Sequence, residues 1–138
     1  MQILDINSIR IGDKAELKRA FSLDDVEKFS LISGDVNPIH MDAEYASKTM
    51  FGDRIVNGAL ACSMFSTIFA NILPSPDCIY VKTQYTFFKP IYLNQSVDYV
   101  VEIINVNYEK RRVKFEIGAL VDDKKCIAGT AELYISNE

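Results

Sequence analysis

Histidine occurs once in this 138-residue chain and cysteine three times, and the two types never cluster. Zinc sites and redox motifs need ligands or thiols in short paired spacings, and Cys62, Cys78 and Cys126 stand far apart. Their odd number also argues against a disulfide framework and for a reducing, cytoplasmic setting. No long run of basic residues is present. The net charge is -4, and Lys110-Arg111-Arg112 is isolated ahead of alternating apolar residues, so nucleic acid is not an expected partner. Long apolar runs are missing too. The most apolar window, Gly58 to Leu73, is shorter than the roughly 20 residues a bilayer requires and carries Ser63, Ser66, Thr67 and Asn71. It reads as a buried helix, with no membrane partner. Met1 to Asn7 has neither the basic start nor the apolar centre of a signal peptide. Repeats, linkers and low-complexity stretches are absent, which leaves one domain, residues 1–138, of ordinary composition: 49% hydrophobic and 25% charged.

What is present begins with Ser22-Leu23-Asp24-Asp25, a helix start in which Ser22 caps free amides and the acids meet the positive end of the dipole. Val26, Phe29 and Ile32 follow at helical spacing and Gly34 closes the helix. Asp42 caps a second short helix through Tyr45 and Ala46, which puts His40 in the link between two helices. A third helix is expected from Ile55 to Leu73, buried on most sides, with Leu60, Met64, Ile68 and Ile72 on one stripe and Ala59, Phe65 and Phe69 widening it. After Pro74-Ser75-Pro76 the pattern turns to strands: Ile79 to Phe88, Val97 to Ile103, Val113 to Val121 and Cys126 to Ile135, with Asp122-Asp123-Lys124-Lys125 as a turn. Lys14 to Phe21 is a weaker strand for an edge. A helix followed by a sequential antiparallel meander gives an α+β domain with segregated layers.

Asp35 precedes the lone His40 by five residues, with Gly34 and Asn37-Pro38 forcing a loop. A carboxylate and an imidazole converging across a loop can move protons on a small molecule. The same spacing also suits an aspartate that caps a turn beside an ordinary half-buried histidine. Gly58, after Val56-Asn57, stands where a helix start points free amides outward, suited either to an oxyanion or to close packing.

The run Phe29-Ser30-Leu31-Ile32-Ser33-Gly34-Asp35-Val36-Asn37-Pro38-Ile39-His40 resembles the hydratase motif of the MaoC-like, (R)-specific enoyl-CoA hydratases. The resemblance continues through Asp42-Ala43-Glu44-Tyr45-Ala46, Ile55-Val56-Asn57-Gly58-Ala59-Leu60 and Phe87-Phe88-Lys89-Pro90-Ile91, covering about Phe21 to Ile135. It implies a hot-dog fold, a long central helix wrapped by a curved antiparallel sheet, paired as a homodimer. It further implies reversible hydration of trans-2-enoyl thioesters of coenzyme A or acyl carrier protein to (R)-3-hydroxyacyl thioesters, without metal or organic cofactor. In that scheme Asp35 and His40 handle the water, in roles the sequence leaves open, and the Gly58 amide receives the oxyanion. Asn37 and Ser66 support the site; a helix serine bonding its own backbone is the other reading of Ser66. The acyl chain is expected along the helix, limited by bulk at Leu60, Met64 and Phe65 or in the loop from Ser47 to Asp53; a place in the core is the other reading of each of these residues. Lys82, Lys89, Arg54 and Lys110 to Arg112 are candidate phosphate contacts. Where relatives commonly carry histidine before the helix-start glycine, this chain has Asn57, a departure that bears on substrate preference or rate. Alternatives on the same fold are an acyl thioesterase and a non-catalytic acyl-thioester-binding subunit.

Overall fold

The computed structural model describes residues 5–74 and 76–136, so the expectation about Met1 to Leu4 lies outside the described residues, as does Ser75. After a 3-10 turn at Ile6–Ser8 come β1 (Lys14–Arg19), α1 (Leu23–Ser33), α2 (Pro38–Met41), α3 (Ala43–Ser47) and α4 (Gly58–Asn71). Four strands follow: β2 (Cys78–Phe87), β3 (Val97–Asn107), β4 (Arg112–Val121) and β5 (Lys124–Ile135). All five strands form one antiparallel sheet in the order β1-β3-β4-β5-β2. The α+β hot-dog architecture expected from the resemblance is the one observed.

The expected meander holds only for β3, β4 and β5. β2 pairs with β5 rather than β3, because the segment after Phe87 crosses to the other side of the sheet. Asp122 and Asp123 make the tight β4–β5 connection with φ of 49° and 62°, the backbone that a two-residue hairpin following the sheet twist requires. Gly129, opposite Tyr85, allows β2 its close approach, since a Cβ there would stand 1.8 Å from the carbonyl oxygen of Gln84.

Alternation sets the core. Val97, Tyr99, Val101 and Ile103 of β3, with Val113, Phe115, Ile117 and Ala119 of β4, all turn one way and are buried. Against them lies α4, whose Phe69 ring is 4.8 Å from Phe115 and whose Phe65 meets Tyr99 edge to face at 5.3 Å. The Tyr99 hydroxyl donates to the Ala61 carbonyl at 2.7 Å, which fixes the helix's height over the sheet. Each such large apolar side chain contributes about 1.5–3 kcal/mol on burial.

Two helix expectations need correction. α4 begins at Gly58, three residues later than the pattern suggested, because Ile55 is drawn into a bridge with Tyr92. Its buried face is Ala61, Cys62, Phe65, Ile68 and Phe69, while Ile72 is exposed and Ala59, Ser63 and Ser66 form an open side. In α1, Val26 and Ser30 are buried but Ile32 is 87% exposed, as is Leu31 at 86%. Both ends of α1 agree with the sequence. Ser22 and Asp25 cap each other's amides, and Gly34 ends the helix at φ 77°. Among the described residues no helix is long and apolar enough to cross a membrane.

Candidate active site

The loop between α1 and α2 is organised by its own short polar side chains. Asp35 Oδ1 accepts from the Asn37 amide at 3.1 Å, and Asn37 Oδ1 accepts from Ile39 at 3.2 Å, capping a one-turn helix that starts on Pro38. Ser33 Oγ, anchored to the Phe29 carbonyl, accepts from the Asp35 amide. His40 therefore sits within α2 and not in the link between helices, because Asn37 and Pro38 start a turn of their own. The turn-capping reading of Asp35 is correct for one of its oxygens. Asp42 caps α3 through the Tyr45 amide as expected.

His40 is pinned from the far side. Its Nδ1 lies 2.7 Å from the carbonyl oxygen of Ile55, and Ile55 in turn donates to the carbonyl of Ile39. A carbonyl only accepts, so Nδ1 carries the hydrogen and the neutral ring presents a lone pair at Nε2. That atom stands 3.8 Å from Asp35 Oδ2, beyond direct hydrogen bonding. The His40 side chain is 12% exposed and that of Asp35 40%, so the pair opens to solvent on the carboxylate side.

Asp35 Oδ2 also accepts from Asn57 Nδ2 at 2.9 Å, across 22 residues of sequence. The Asn57 amide, then the Asn37 backbone N–H, hold the Asp35 carboxyl below its ordinary value of 3.8, and partial burial opposes them; a proton on His40 would add to the lowering. Asp35 is the ionised partner.

Asn57 stands at the N-cap of α4 but makes no cap bond, and the Gly58 N–H, first in the helix, has no acceptor among the described residues. The packing role of Gly58 is equally plain, since a Cβ there would lie 3.0 and 3.2 Å from the Phe87 ring. Through Asn57, the start of α4 and the Asp35–His40 pair become one site.

Ser66 is not part of that cluster. It lies two turns along α4, about 12 Å from Gly58 by helix rise, in a groove of about 280 Å³ with Ala59, Cys62, Ser63, Tyr80, Thr83 and Tyr85. Tyr80 lines the same groove, and burial pushes its phenol up to about 12. Phe65 is wholly buried in the core and does not line this groove, which agrees with the core reading of that residue; Leu60 and Met64 are half-buried against the same core. Arg112, one of the candidate phosphate contacts, is paired with Glu132 at 3.6 Å. Sequence reasoning missed two contacts of the candidate site: the Ile55 carbonyl behind His40, and Asn57 as the partner of Asp35. The first has no side-chain signal. The second had one, a preferred capping residue at a helix start.

Residues 7–125 match the MaoC like domain. A 3-hydroxybutyryl-CoA dehydratase from Methylorubrum extorquens is 30% identical over 131 residues, spanning 95% of this chain and 83% of that protein. An (R)-specific enoyl-CoA hydratase from Rhodospirillum rubrum is 32% identical over 127 residues, 92% of this chain and 88% of its own. Among solved structures, an (R)-hydratase from A. caviae involved in PHA biosynthesis superposes with a TM-score of 0.90 at 28% identity, covering 93% of this chain and 98% of that one.

Proposed function

The chain belongs to the MaoC-like domain family, and from that premise we propose that it is a hydro-lyase that reversibly adds water to trans-2-enoyl thioesters to give (R)-3-hydroxyacyl thioesters. The observation that carries the reading is the pair of proton acceptors, His40 Nε2 and Asp35 Oδ2, 3.8 Å apart and tied through Asn57 to the start of α4, where the Gly58 N–H has no acceptor among the described residues. Two acceptors at that distance suit one water donating a hydrogen to each, which leaves its oxygen lone pairs facing outward.

The reaction follows from that geometry. Water oxygen bonds C3 of the enoyl thioester while its proton passes to Nε2, and Asp35 holds the second hydrogen and balances the imidazolium charge. Negative charge that shifts onto the thioester oxygen is met by the Gly58 amide and the positive end of α4. The proton then moves from Nε2 to C2, so the atoms of one water end on C3 and C2 and the enzyme returns to its starting state. Asn37 serves as the anchor of the loop. The carrier is coenzyme A or acyl carrier protein, and the groove beside α4, with Ser66 in its wall, receives the acyl chain.

Residues 1–138 act as one domain, and the working unit is a homodimer. β2 is a sheet edge with Ile79 55%, Tyr80 44% and Val81 42% exposed, and it flanks the groove; an open apolar edge of this length calls for a partner strand. Three free thiols favour a cytoplasmic setting.

Purified protein supplied with crotonyl-CoA, hexenoyl-CoA and their acyl-carrier-protein equivalents should lose enoyl absorbance and yield the (R)-3-hydroxy product. Release of free thiol without hydration would mark a thioesterase, and binding of enoyl-CoA without turnover a non-catalytic subunit.

A further inference from the structure

Asparagine is favoured at helix N-caps because its side-chain oxygen accepts from an amide in the first turn. Asn57 holds that position on α4 and does not use it. Its side chain is 2% exposed, its Nδ2 donates to Asp35 Oδ2 at 2.9 Å, and its Oδ1 has no hydrogen-bond partner among the described residues. A buried amide oxygen left unpaired destabilises a fold, so an apolar side chain of similar size would serve folding better here. The residue is explained by what its nitrogen does.

Each oxygen of Asp35 is tied to a separate donor, Oδ1 to the Asn37 N–H at 3.1 Å and Oδ2 to Asn57. Among the described residues, the only other titratable group that acts on the carboxylate is His40. Were Oδ2 to pick up a proton, it would become a donor facing the Nε2 lone pair, and the 3.8 Å gap would close into a direct bond with no room for water. Were the ring to become charged, an untethered carboxylate would swing onto it and hold the proton. A donor fixed on Oδ2 opposes both events. Because the carboxamide is turned toward Asp35, it also leaves the first-turn amides of α4 without a side-chain cap.

We propose that Asn57 is a positioning residue for the water-activating pair: its carboxamide holds Asp35 Oδ2 as a proton-free acceptor apart from His40. The kinetic side of this inference rests on the hydro-lyase reading; the effect on Asp35 does not.

Asn57→Leu and Asn57→Asp in the full-length protein test it. The Leu variant should keep or raise the thermal midpoint, move the carbon-13 titration of the Asp35 carboxyl up by at least about half a pH unit, and lower kcat on crotonyl-CoA about tenfold to hundredfold with KM nearly unchanged. In the Asp variant two carboxylates face each other, so one must titrate well above the ordinary range and the acid limb of the rate profile should move upward. An unmoved Asp35 titration in the Leu variant overturns the proposal, as does full kcat. If the Leu variant fails to fold, Asn57→Ser carries the same titration. A wild type without turnover would sink the hydro-lyase reading, and the Asp35 titration would then decide on Asn57 by itself.

Discussion

The ring of His40 is bonded through Nδ1 to the carbonyl of Ile55, 2.7 Å away and 15 residues further along the chain. That bond settles which nitrogen faces the substrate side, because a carbonyl acceptor draws the ring hydrogen to Nδ1 and leaves Nε2 to take a proton. It also links the α2 turn to the approach into α4, so the lone histidine and the Gly58 amide are held by one stretch of backbone.

His40→Ala and Asp35→Asn should each lower kcat/KM by about a hundredfold to ten-thousandfold. In the proposed reaction the two act on one water, so the double variant should be little worse than the weaker single one. Steady-state kinetics on crotonyl-CoA for all three variants checks this. Losses that multiply would show that the two residues act on separate steps.

Asp35 has a lowered carboxyl value, chiefly through Asn57, and this fixes a sign. The folded protein binds the proton more weakly than the unfolded chain, whose aspartates titrate near 3.9. The stabilising contribution of the ionised group is therefore complete above that value and is lost as pH falls from it through the lower folded value. The stability difference between wild type and Asp35→Asn should stay flat from pH 7 to about pH 5 and shrink only below about pH 4. Urea melts at several pH values measure it, and a decline that starts near neutrality would contradict the lowered value.

Local signals carried much of this fold into view. Ser22, Gly34 and Asp42 mark helix ends by their own chemistry, and the alternation from Val113 to Val121 is that of a strand with one buried face. What stayed hidden depends on distant partners. Ile55 fits a helical pattern until Tyr92 pairs with it, and β2 follows α4 in sequence yet crosses to β5. Leu31 and Ile32 carry the apolar character of core residues and stand in the open. The site divides the same way. Asp35, His40, Asn37 and Gly58 could be named as candidates from the motif, whereas the Asn57 to Asp35 bond needed the tertiary fold to bring residues 22 apart together.

The edge strand offers a test of assembly. Val81 is 42% exposed in the middle of β2, beside the groove wall formed by Tyr80 and Thr83. A lysine there is readily solvated in a monomer and unwelcome in a strand-to-strand interface. Val81→Lys should leave the thermal midpoint of the isolated subunit nearly unchanged, shift the mass measured by analytical ultracentrifugation from dimer to monomer, and reduce turnover. A wild type that sediments as a monomer with full activity would remove the dimer from the account.

Gly58 and Gly129 should respond to alanine in opposite ways, because what their added methyl groups meet differs. At Gly129 the obstacle is the backbone oxygen of Gln84 at 1.8 Å, which cannot move without breaking the β2–β5 register, so Gly129→Ala should cost about 3 kcal/mol or more and lose the fold in a thermal melt. At Gly58 the obstacle is the Phe87 ring at 3.0 and 3.2 Å. That side chain is 55% exposed and free to turn away, and alanine suits a helix better than glycine. Gly58→Ala should therefore melt within about 1 kcal/mol of wild type, yet lose turnover as the displaced ring crowds the amide proposed to meet the oxyanion. Removing the ring separates the two effects: Gly58→Ala combined with Phe87→Ala should recover part of the lost kcat. If it recovers none, the methyl group alone blocks the amide, and Phe87 has no hand in the loss.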